Sequence, residues 1–375
     1  MSKPLKIALV SNTTWNIHNF RLNIISKLLH EGHEVIVMAP VDEYIHYKEN
    51  FPQVKHVPIR KLDRDSINPI KDLKLAIELS NLYAKVKPDF IVHYTVKPNI
   101  YGGIAARFNK IPSVAVVTGL GFAFIHNGFI KKVTQSLYKI SAGGHLKFIF
   151  ENDADKVLFE ETGLIKKGQG ASVKGCGVDT NYFLSKTSLQ DKNGRTIFTF
   201  IGRLLYDKGV KEFIEAAHIV KSKFSDSEFW LIGEIDKENP SAIKEDDLVD
   251  WIRGTDIQYH GSTRDVRKYI DQSDCIVLPS YREGMSRIIM EGMSMERPII
   301  TTDTPGCRET VENGKNGFVV PVKNSLALSE AMIKLYHLSP EERKQMGEYG
   351  RQKAINEFSE SKIAEDFYHI LSDVF

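Results

Sequence analysis

The sequence predicts an α/β protein of two tandem Rossmann-like domains that face a central cleft. The chain has 375 residues, and with 42% hydrophobic and 26% charged residues it can bury more than one core and is not disordered. Short β-rich runs alternate with helical patterns, which is typical of parallel βαβ units. The alternation stops at a polar stretch and then restarts. We therefore predict a first domain over residues 1–185, a second over 186–355, and a C-terminal helix over 356–375 that packs back toward the first domain.

In the first domain, the first strand is followed by a helical pattern that ends at Gly32, and glycine is a common helix terminator. The predicted strands are residues 6–11, 34–38, 90–94, 113–117, 148–151 and 171–174. The predicted helices are residues 20–30, residues 100–109 and a basic stretch that begins at Phe129. Parallel strands of this kind place their carboxyl ends along one edge of the sheet, where open α/β sheets bind ligands.

The second domain repeats the pattern and ends in helices. Its predicted strands are residues 196–201, 228–232, 257–259, 275–278 and 298–302, and its predicted helices include residues 210–224 and 285–296. The segment Ser339-Pro340-Glu341-Glu342 predicts a further helix start, because Ser can cap, Pro suits the first turn and acids favour the positive helix end. Two such sheets, joined by a linker, would let a transferase bind one substrate on each wall of the cleft.

The net charge of +2 conceals two halves of opposite charge. Residues 1–185 contain 24 Lys and Arg against 16 Asp and Glu, whereas the remainder contains 26 against 32. Within the basic half, residues 90–150 carry seven basic and no acidic side chains. Apolar residues and cations alternate there around Phe129, Lys131 and Lys132, which is typical of a helix on an anionic membrane surface. The alternative is that the phenylalanines belong to the core and the lysines are solvated.

Other composition signals exclude several classes of protein. The three cysteines lie far apart without CxxC spacing, which predicts neither a zinc site nor a disulfide framework. The N-terminal apolar run is too short for a signal-peptide core, and no segment supplies the roughly 20 apolar residues of a spanning helix. No nucleic-acid reading motif is present. We therefore predict a cytoplasmic protein that contacts the inner face of the membrane peripherally and binds no nucleic acid.

The segment from Glu283 to Glu291 predicts an anion site with two carboxylates beside it. Gly284 lets the backbone approach a ligand, and the amides of Met285 and Ser286 would open the helix that follows. Exposed amides and the helix dipole attract anions. Glu291 lies about two helical turns beyond Glu283 and would reach another part of the same ligand. The alternative is a solvated helix with acids near its start.

A second loop of the same domain combines Gly202 and Arg203 with Lys208 and Gly209. Arg can clamp phosphate oxygens with its planar fork and Lys can add a point charge, which together suit a diphosphate leaving group. An ordinary loop with solvated cations is the alternative. His260, after another strand, is a candidate for binding the base of a nucleotide, although a plain turn explains it equally well.

Taken in order, these motifs resemble the retaining family-4 glycosyltransferases of the GT-B fold, and the resemblance covers nearly the whole chain. It rests on the pairs Gly202-Arg203 and Lys208-Gly209, on the E-x7-E spacing of Glu283 and Glu291, and on the turn at residues 177–180. The resemblance implies that Arg203 and Lys208 hold the nucleotide diphosphate, Glu291 the ribose hydroxyls and Glu283 the donor sugar. It also implies catalysis without a metal or a cofactor, since the UDP-sugar is a substrate.

The acceptor side is less defined by the resemblance. The loop with Asn16 and His18 differs from the glycine-rich turn common in the family, and a helix-capping or exposed His18 is an equal alternative. Thr118 and Gly119 begin a glycine turn similar to that of relatives that act on lipid-linked sugars. His126 is nearest to the active-site histidine of other members but departs from their pattern. The acceptor-side base is therefore left open.

The resemblance to bacterial transferases implies that the chain moves a hexosamine, N-acetylgalactosamine or N-acetylglucosamine, from a UDP-sugar. The acceptor would be a polyprenyl-diphosphate-linked saccharide, such as an undecaprenyl-linked glycan of surface polysaccharide synthesis, and the anomeric configuration would be retained. Two alternatives remain: a sugar-nucleotide epimerase of GT-B architecture, and a non-catalytic protein that binds nucleotide sugars.

Overall fold

The computed structural model describes residues 3–63, 66, 68–121, 128–186, 195–237, 239–253 and 255–375, with the side chains of Phe129 and Ile130 outside that description. The chain folds into two compact units. Unit 1 is Met1–Gly177 with Glu360–Phe375, and unit 2 is Val178–Ser359. The division after Gly177 lies earlier than the predicted limit at residue 185, because Val178 bonds to the backbone of Phe358 in unit 2.

Unit 1 is built on a parallel sheet. Its strands are β1 (Lys6–Val10), β2 (Glu34–Ala39), β3 (Lys55–Pro58), β4 (Phe90–Tyr94), β5 (Ser113–Val117), β6 (Lys147–Phe150) and β7 (Gly170–Ser172). Their order is β3-β2-β1-β4-β5-β6-β7, so the direction of winding reverses between β1 and β4. Open α/β sheets bind ligands at the carboxyl side of such a switch point.

Helices cover both faces of this sheet. They are α1 (Thr14–Phe20), α2 (Leu22–His30), α3 (Tyr47–Asn50), α4 (Pro69–Val86), α5 (Gly103–Phe108), α6 (Phe129–Ser141) and α7 (Asp153–Glu161), and a π-helical turn, Pro98–Gly102, precedes α5. Alternate residues of each strand supply the two core layers. Ile7 and Leu9 of β1 pack in one layer with α2, and Ala8 and Val10 in the other with α4.

Unit 2 contains a second parallel sheet of the same class. Its strands are β8 (Thr196–Ile201), β9 (Ser227–Ile232), β10 (Ile257–Tyr259), β11 (Cys275–Leu278), β12 (Ile299–Thr302) and β13 (Gly317–Val320), in the order β10-β9-β8-β11-β12-β13. The helices are α8 (Val210–Lys221), α9 (Glu245–Ile252), α10 (Arg267–Gln272), α11 (Arg287–Ser294), α12 (Ser325–His337) and α13 (Pro340–Phe358). Ser339 is the N-cap of α13 and forms a capping box, in which its side chain and that of Glu342 each bond to the other residue's backbone amide.

The C-terminal helix α14 (Glu360–Ser372) belongs to unit 1 by its contacts. Its residues Phe367, Tyr368 and Leu371 are buried in the core layer that also holds α2. The Tyr368 hydroxyl lies 3.2 Å from Nε2 of His33. The helix begins at Glu360 rather than at the predicted residue 356, because the preceding helix α13 continues to Phe358.

The acid-free segment divides into buried and exposed parts. The aromatic side chains of Tyr138, Phe148 and Phe150 belong to this segment and lie in the core. For these three residues the core interpretation is therefore correct, and the membrane-surface interpretation is not. Val133 and Ile140 of α6 are exposed, and so is Leu146 after it. No helix of the described residues is both long enough and apolar enough to cross a membrane.

If α14 is part of the unit 1 core, truncating a buried side chain on it will destabilise that unit. Leu371 is fully buried, so Leu371→Ala is expected to lower the free energy of unfolding by about 2–5 kcal/mol. Leu326→Ala is the matched control, because Leu326 is 64% exposed on α12, and it should change that free energy by less than about 0.5 kcal/mol. Urea unfolding followed by circular dichroism measures both, and equal effects would contradict the assignment of α14.

Candidate functional site

Lys208 and Glu283, two of the predicted catalytic residues, meet in unit 2. Lys208 ends a short 3₁₀ turn before α8, and Glu283 lies in the loop between β11 and α11. The Lys208 Nζ is 2.5 Å from Oε1 of Glu283, and both side chains are largely buried. A cation and a carboxylate held this close compensate each other's charge, and the ammonium group keeps further N–H groups that can donate to an anionic ligand.

A close backbone approach brings the two loops together. Gly209 has φ +74°, and a Cβ atom there would lie 2.2 Å from the carbonyl oxygen of Pro279. The Tyr281 amide and the Ser280 hydroxyl both donate to the carbonyl of Asp207, at 2.8 and 3.1 Å. A side chain at position 209 would push the loops apart, which explains why glycine follows Lys208.

Tyr281 and Glu212 form a further link between the loops that the motif analysis missed. The Tyr281 hydroxyl donates to Oε1 of Glu212 on α8 at 2.7 Å. Burial and the Glu212 carboxylate raise the pKa of Tyr281, so its hydroxyl stays protonated and able to donate. The link fastens the loop of Glu283 to the helix that follows Lys208. No spacing rule in the sequence marks this pair, because it joins residues far apart in the chain.

Arg203 follows β8, as predicted, and makes a different ion pair. Its Nη1 lies 2.7 Å from Oδ2 of Asp236, and the guanidinium is half exposed. The backbone of Gly233 packs closely against Gly202, the residue before Arg203. A Cβ atom at Gly233 would lie 1.8 Å from the Gly202 carbonyl oxygen. The half-exposed guanidinium therefore retains N–H groups that can reach a phosphate.

Glu291 is buried on α11 beside a partner that the sequence analysis did not single out. Arg287, one turn earlier, places its Nε 2.7 Å from Oε1 of Glu291. Burial raises the pKa of Glu291, and the guanidinium of Arg287 opposes that shift. Arg287 therefore compensates the charge of Glu291, and the second carboxylate oxygen of Glu291 is a potential hydrogen-bond acceptor.

The start of α11 differs from the prediction. The helix begins at Arg287, with Ser286 as its cap residue. The Ser286 amide donates to the Gly306 carbonyl at 3.0 Å, and the Glu283 amide donates to the Pro305 carbonyl at 3.0 Å. The prediction of an exposed Ser286 amide is therefore wrong, because a neighbouring loop already satisfies it. Met285 is buried, so its side chain packs in the protein.

His260 lies just beyond β10 in an aromatic cluster. Its ring centroid is 5.3 Å from that of Trp230 and 5.1 Å from that of Tyr269. Burial, with a contribution from Lys268, lowers the pKa of His260, so the ring is neutral at pH 7. It presents a flat, uncharged surface at this end of the sheet.

The predicted acceptor-side residues of unit 1 lie in separate surroundings. Asn16 is buried and accepts a hydrogen bond from the Ser11 hydroxyl at 3.1 Å, so it supports the loop after β1. The His18 ring lies 4.6 Å from the ring of His46 and 5.5 Å from that of Tyr44. Thr118 and Gly119 directly follow β5, with Gly119 at φ +113°. His126 lies outside the described residues.

In the described part of the chain, no group of three or more His, Cys, Asp or Glu side chains is arranged to hold a metal ion. Near Glu283 the structure pairs acids with cations, Lys208 with Glu283 and Arg287 with Glu291.

Comparison with known proteins identifies the family. The family model described as glycosyl transferases group 1 matches residues 184–353, and the model described as glycosyl transferase 4-like matches residues 6–152. The N,N'-diacetylbacillosaminyl-diphospho-undecaprenol alpha-1,3-N-acetylgalactosaminyltransferase of Campylobacter jejuni is 32% identical over 341 residues, which is 87% of this chain and 88% of that protein. This chain belongs to the group 1 glycosyltransferases. It is an enzyme, as predicted.

A second relative agrees with this assignment, and solved structures agree with the fold. The UDP-Gal:alpha-D-GlcNAc-diphosphoundecaprenol alpha-1,3-galactosyltransferase of Escherichia coli is 29% identical, over 72% of each chain. A glycosyltransferase of Rickettsia africae superposes with a TM-score of 0.80 at 20% identity, covering 100% of this chain and 99% of that one. Anabaena HepE, solved with UDP, gives 0.78 at 17% identity, covering 98% and 100%. The predicted GT-B fold is confirmed.

The ion pair of Lys208 predicts an unusual response to removal of its partner. In Glu283→Gln the lysine loses its internal anion, so the affinity of this glycosyltransferase for inorganic pyrophosphate is expected to rise about tenfold. The affinity is measured by isothermal titration calorimetry. Glu215→Gln is the matched control, because Glu215 pairs with Lys211 at 3.7 Å on the surface of α8. An unchanged or weaker affinity in Glu283→Gln would contradict competition between Glu283 and the anion for Lys208.

Proposed function

We propose that this glycosyltransferase transfers an N-acetylhexosamine from a UDP-sugar to an undecaprenyl-diphosphate-linked saccharide with retention at the anomeric carbon. The observation that carries the proposal is the enclosed pair of Lys208 and Glu283, which places a cation and a hydroxyl-binding carboxylate together at the carboxyl edge of the sheet in unit 2. The names of the C. jejuni and E. coli relatives support the lipid-linked acceptor, and a UDP complex of a structural neighbour supports the nucleotide.

The charged pairs of unit 2 suggest how the residues would act. When the bond from the anomeric carbon to the diphosphate oxygen breaks, its electron pair moves to the diphosphate. The acceptor hydroxyl oxygen forms the new bond to the anomeric carbon, and its proton passes to the departing diphosphate. Lys208 and Arg203 would stabilise the negative charge of the diphosphate, and Glu283, released from the lysine, would accept hydrogen bonds from donor-sugar hydroxyls. Glu291, compensated by Arg287, would accept hydrogen bonds from the ribose. In this proposal cations stabilise the leaving group, so no metal ion or cofactor is needed.

The test is a transfer assay with UDP-GalNAc, UDP-GlcNAc and UDP-Gal, each offered with α-D-GlcNAc-diphosphoundecaprenol or with N,N'-diacetylbacillosaminyl-diphospho-undecaprenol. We expect an α-linked product in the presence of EDTA. Arg203→Ala and Lys208→Ala should each lower turnover by about 10²–10³, the usual effect of removing one preorganised group that stabilises transition-state charge.

Two surface substitutions serve as controls for that assay. Arg195 pairs with Glu228 and is about as exposed as Arg203, and Lys211 is an exposed lysine of α8. Arg195→Ala and Lys211→Ala should retain activity. A β-linked product would overturn retention, and loss of activity in EDTA, restored by Mn²⁺, would overturn metal independence. Conversion of the donor sugar without acceptor would favour the epimerase alternative.

A peripheral, cytoplasmic position on the inner membrane face is the second part of the proposal. The exposed residues of α6 and its continuation mix apolar side chains and cations: Lys132, Val133, Lys139, Ile140 and Leu146. Positions 132, 133, 136, 139 and 140 recur on one helical face. Lys131 is only partly exposed, so the proposed membrane-contacting surface includes Lys139 instead of Lys131. An anionic leaflet attracts each such lysine by about 1 kcal/mol.

Flotation with vesicles of phosphatidylglycerol and phosphatidylethanolamine tests this surface. Reversing two charges, in Lys132→Glu/Lys139→Glu, is expected to reduce the bound fraction by at least about tenfold, because attraction becomes repulsion. Lys166→Glu/Lys167→Glu is the matched control on another exposed loop of unit 1 and should float more readily than the first variant. Equal flotation of the two variants would overturn the docking surface.

A further inference from the structure

Helix α4 carries apolar side chains on two faces. Leu75 and Leu79 lie in the core of unit 1. On the opposite face, Ile70, Leu73 and Ile77 are 66%, 62% and 53% exposed. Single exposed apolar residues are common on protein surfaces, whereas a contiguous exposed apolar patch marks an interaction site. The second face of α4 is therefore a candidate interaction surface.

The exposed residues form one line along the helix, the α4 stripe: Ile70, Leu73, Ile77, Asn81 and Ala84. They are spaced by three or four residues, which keeps them on one side of an α-helix and is typical of a helix that packs against another helix. The large apolar side chains lie in the N-terminal half of the stripe, and the C-terminal half ends in the small Ala84. A partner helix that fits must therefore run from small to large where the stripe runs from large to small.

The exposed apolar surface continues from α4 onto the end of α5. The Asn109 side chain donates from Nδ2 to the Ser80 carbonyl at 3.2 Å and lies 2.9 Å from the Ser80 hydroxyl. These bonds hold the end of α5 beside the middle of α4. Phe108, the last residue of α5, is 81% exposed. The surface around the stripe therefore includes an aromatic side chain.

The charges beside the α4 stripe are of both signs. Lys74 and Glu78 lie four residues apart, so they flank the stripe on the same side. The Glu78 carboxylate accepts hydrogen bonds from the amides of Arg60 and Lys61 at 2.9 and 2.7 Å, which hold it in place. Helix α6, the proposed membrane surface, contains no acid. A fixed carboxylate beside the stripe favours a partner protein with charges of both signs over an anionic leaflet, which would repel it.

We propose that the α4 stripe is the contact surface between two copies of this chain, whose α4 helices pack antiparallel about a two-fold axis at Ile77. In this register Ile70 of one copy lies opposite Ala84 of the other, so a large side chain packs beside a small one. Lys74 lies within about 3 Å, measured along the helix, of the level of Glu78 in the second copy, and the pair occurs twice by symmetry. Self-complementarity of this kind is what a two-fold interface requires.

A parallel pair of the same helices would fit less well. It would place Ile70 beside Ile70 and Ala84 beside Ala84, so one end would be crowded and the other would leave a gap. It would also bring the two Lys74 side chains to the same level and separate each from Glu78 of the other copy. The distribution of size and charge along α4 therefore selects the antiparallel arrangement.

The size of the contact predicts a weak dimer. Helix α4 has 18 residues and is about 27 Å long and 10 Å wide. A strip of this size covers less than the roughly 800 Å² per partner of a standard stable interface. We therefore expect reversible association with a Kd on the order of 10 μM, rather than a permanent dimer.

Sedimentation velocity of the full chain tests this association. The wild type should shift from monomer to dimer between about 1 and 200 μM, which brackets the expected Kd. Ile77→Glu places two carboxylates together at the axis and should weaken association by at least about 100-fold. Its melting temperature should stay unchanged, because Ile77 is exposed. Leu326→Glu, at an exposed leucine of α12, is the matched control and should dimerise like the wild type.

Disulfide trapping tests the antiparallel register. The three native cysteines are buried, so an added surface cysteine is the accessible thiol. Ile77→Cys should cross-link two copies on oxidation with copper phenanthroline, because the axis brings the two sulfur atoms together. Ile70→Cys should not, since the two sulfur atoms would lie about 21 Å apart along the helices. Combining Ile70→Cys with Ala84→Cys should restore the cross-link.

Four results would overturn the dimer contact. They are a wild type that stays monomeric at 200 μM, a dimer that Ile77→Glu leaves intact, and cross-linking of Ile70→Cys as fast as that of Ile77→Cys. The fourth comes from flotation with the anionic vesicles, in which Ile77→Glu should bind like the wild type. Loss of vesicle binding in that variant would assign the α4 stripe to the membrane instead.

Discussion

The candidate site of unit 2 depends on the contact between Gly209 and the carbonyl of Pro279. Only a residue without a Cβ atom permits this approach, and it allows the loop before α8 and the loop before α11 to share the Asp207 carbonyl as an acceptor. Lys208 and Glu283 lie near this contact, one on each loop, so the backbone brings the two side chains within reach of each other, with Nζ 2.5 Å from Oε1. Tyr281 and Glu212 then fix the loops a second time. An electrostatic site of this kind works only if its charges are held before the ligand arrives, because reorganisation would cost part of the stabilisation.

The distribution of charge has a corresponding structural basis. Unit 2 contains most of the acidic half of the sequence, yet Arg203 and Lys208 follow its strand β8, paired with Asp236 and Glu283. An acid paired with a candidate phosphate-binding cation competes with an anionic substrate for that cation. In unit 1, Lys132 and Lys139 of the acid-free segment are exposed on α6, whereas Tyr138, Phe148 and Phe150 lie in the core. The acid-free segment therefore contributes both to a packed interior and to a cationic surface.

The sequence was sufficient for the architecture because alternation and glycine positions are local signals. It indicated two Rossmann-like domains, the strand after which Arg203 lies, and the E-x7-E spacing from Glu283 in the loop before α11 to Glu291 on that helix. It missed β3, which is only four residues long, and α4, whose exposed apolar side chains Ile70, Leu73 and Ile77 obscure the burial pattern. It also set the start of α11 too early at Met285, because the Gly306 loop that satisfies the Ser286 amide comes from another part of the chain. For the same reason the Tyr281–Glu212 and Arg21–Glu151 links could not be read from spacing. The division of the chain after Gly177 likewise depends on a backbone contact with Phe358, at the far end of unit 2.

Both units pair their buried charges internally, Arg21 with Glu151 in unit 1 and Arg287 with Glu291 in unit 2. In unit 2 the Lys208 ammonium has three N–H groups, so a diphosphate can bind it beside Glu283 or in place of that carboxylate. The interaction of a diphosphate with the lysine can compete with an ion pair, because both partners are charged. In unit 1 the side-chain atoms Oδ1 of Asn12, the hydroxyl of Tyr94 and Oγ1 of Thr95 have no hydrogen-bond partner among the described residues. A polar atom that is already desolvated gains more from a new hydrogen bond than an exposed atom does.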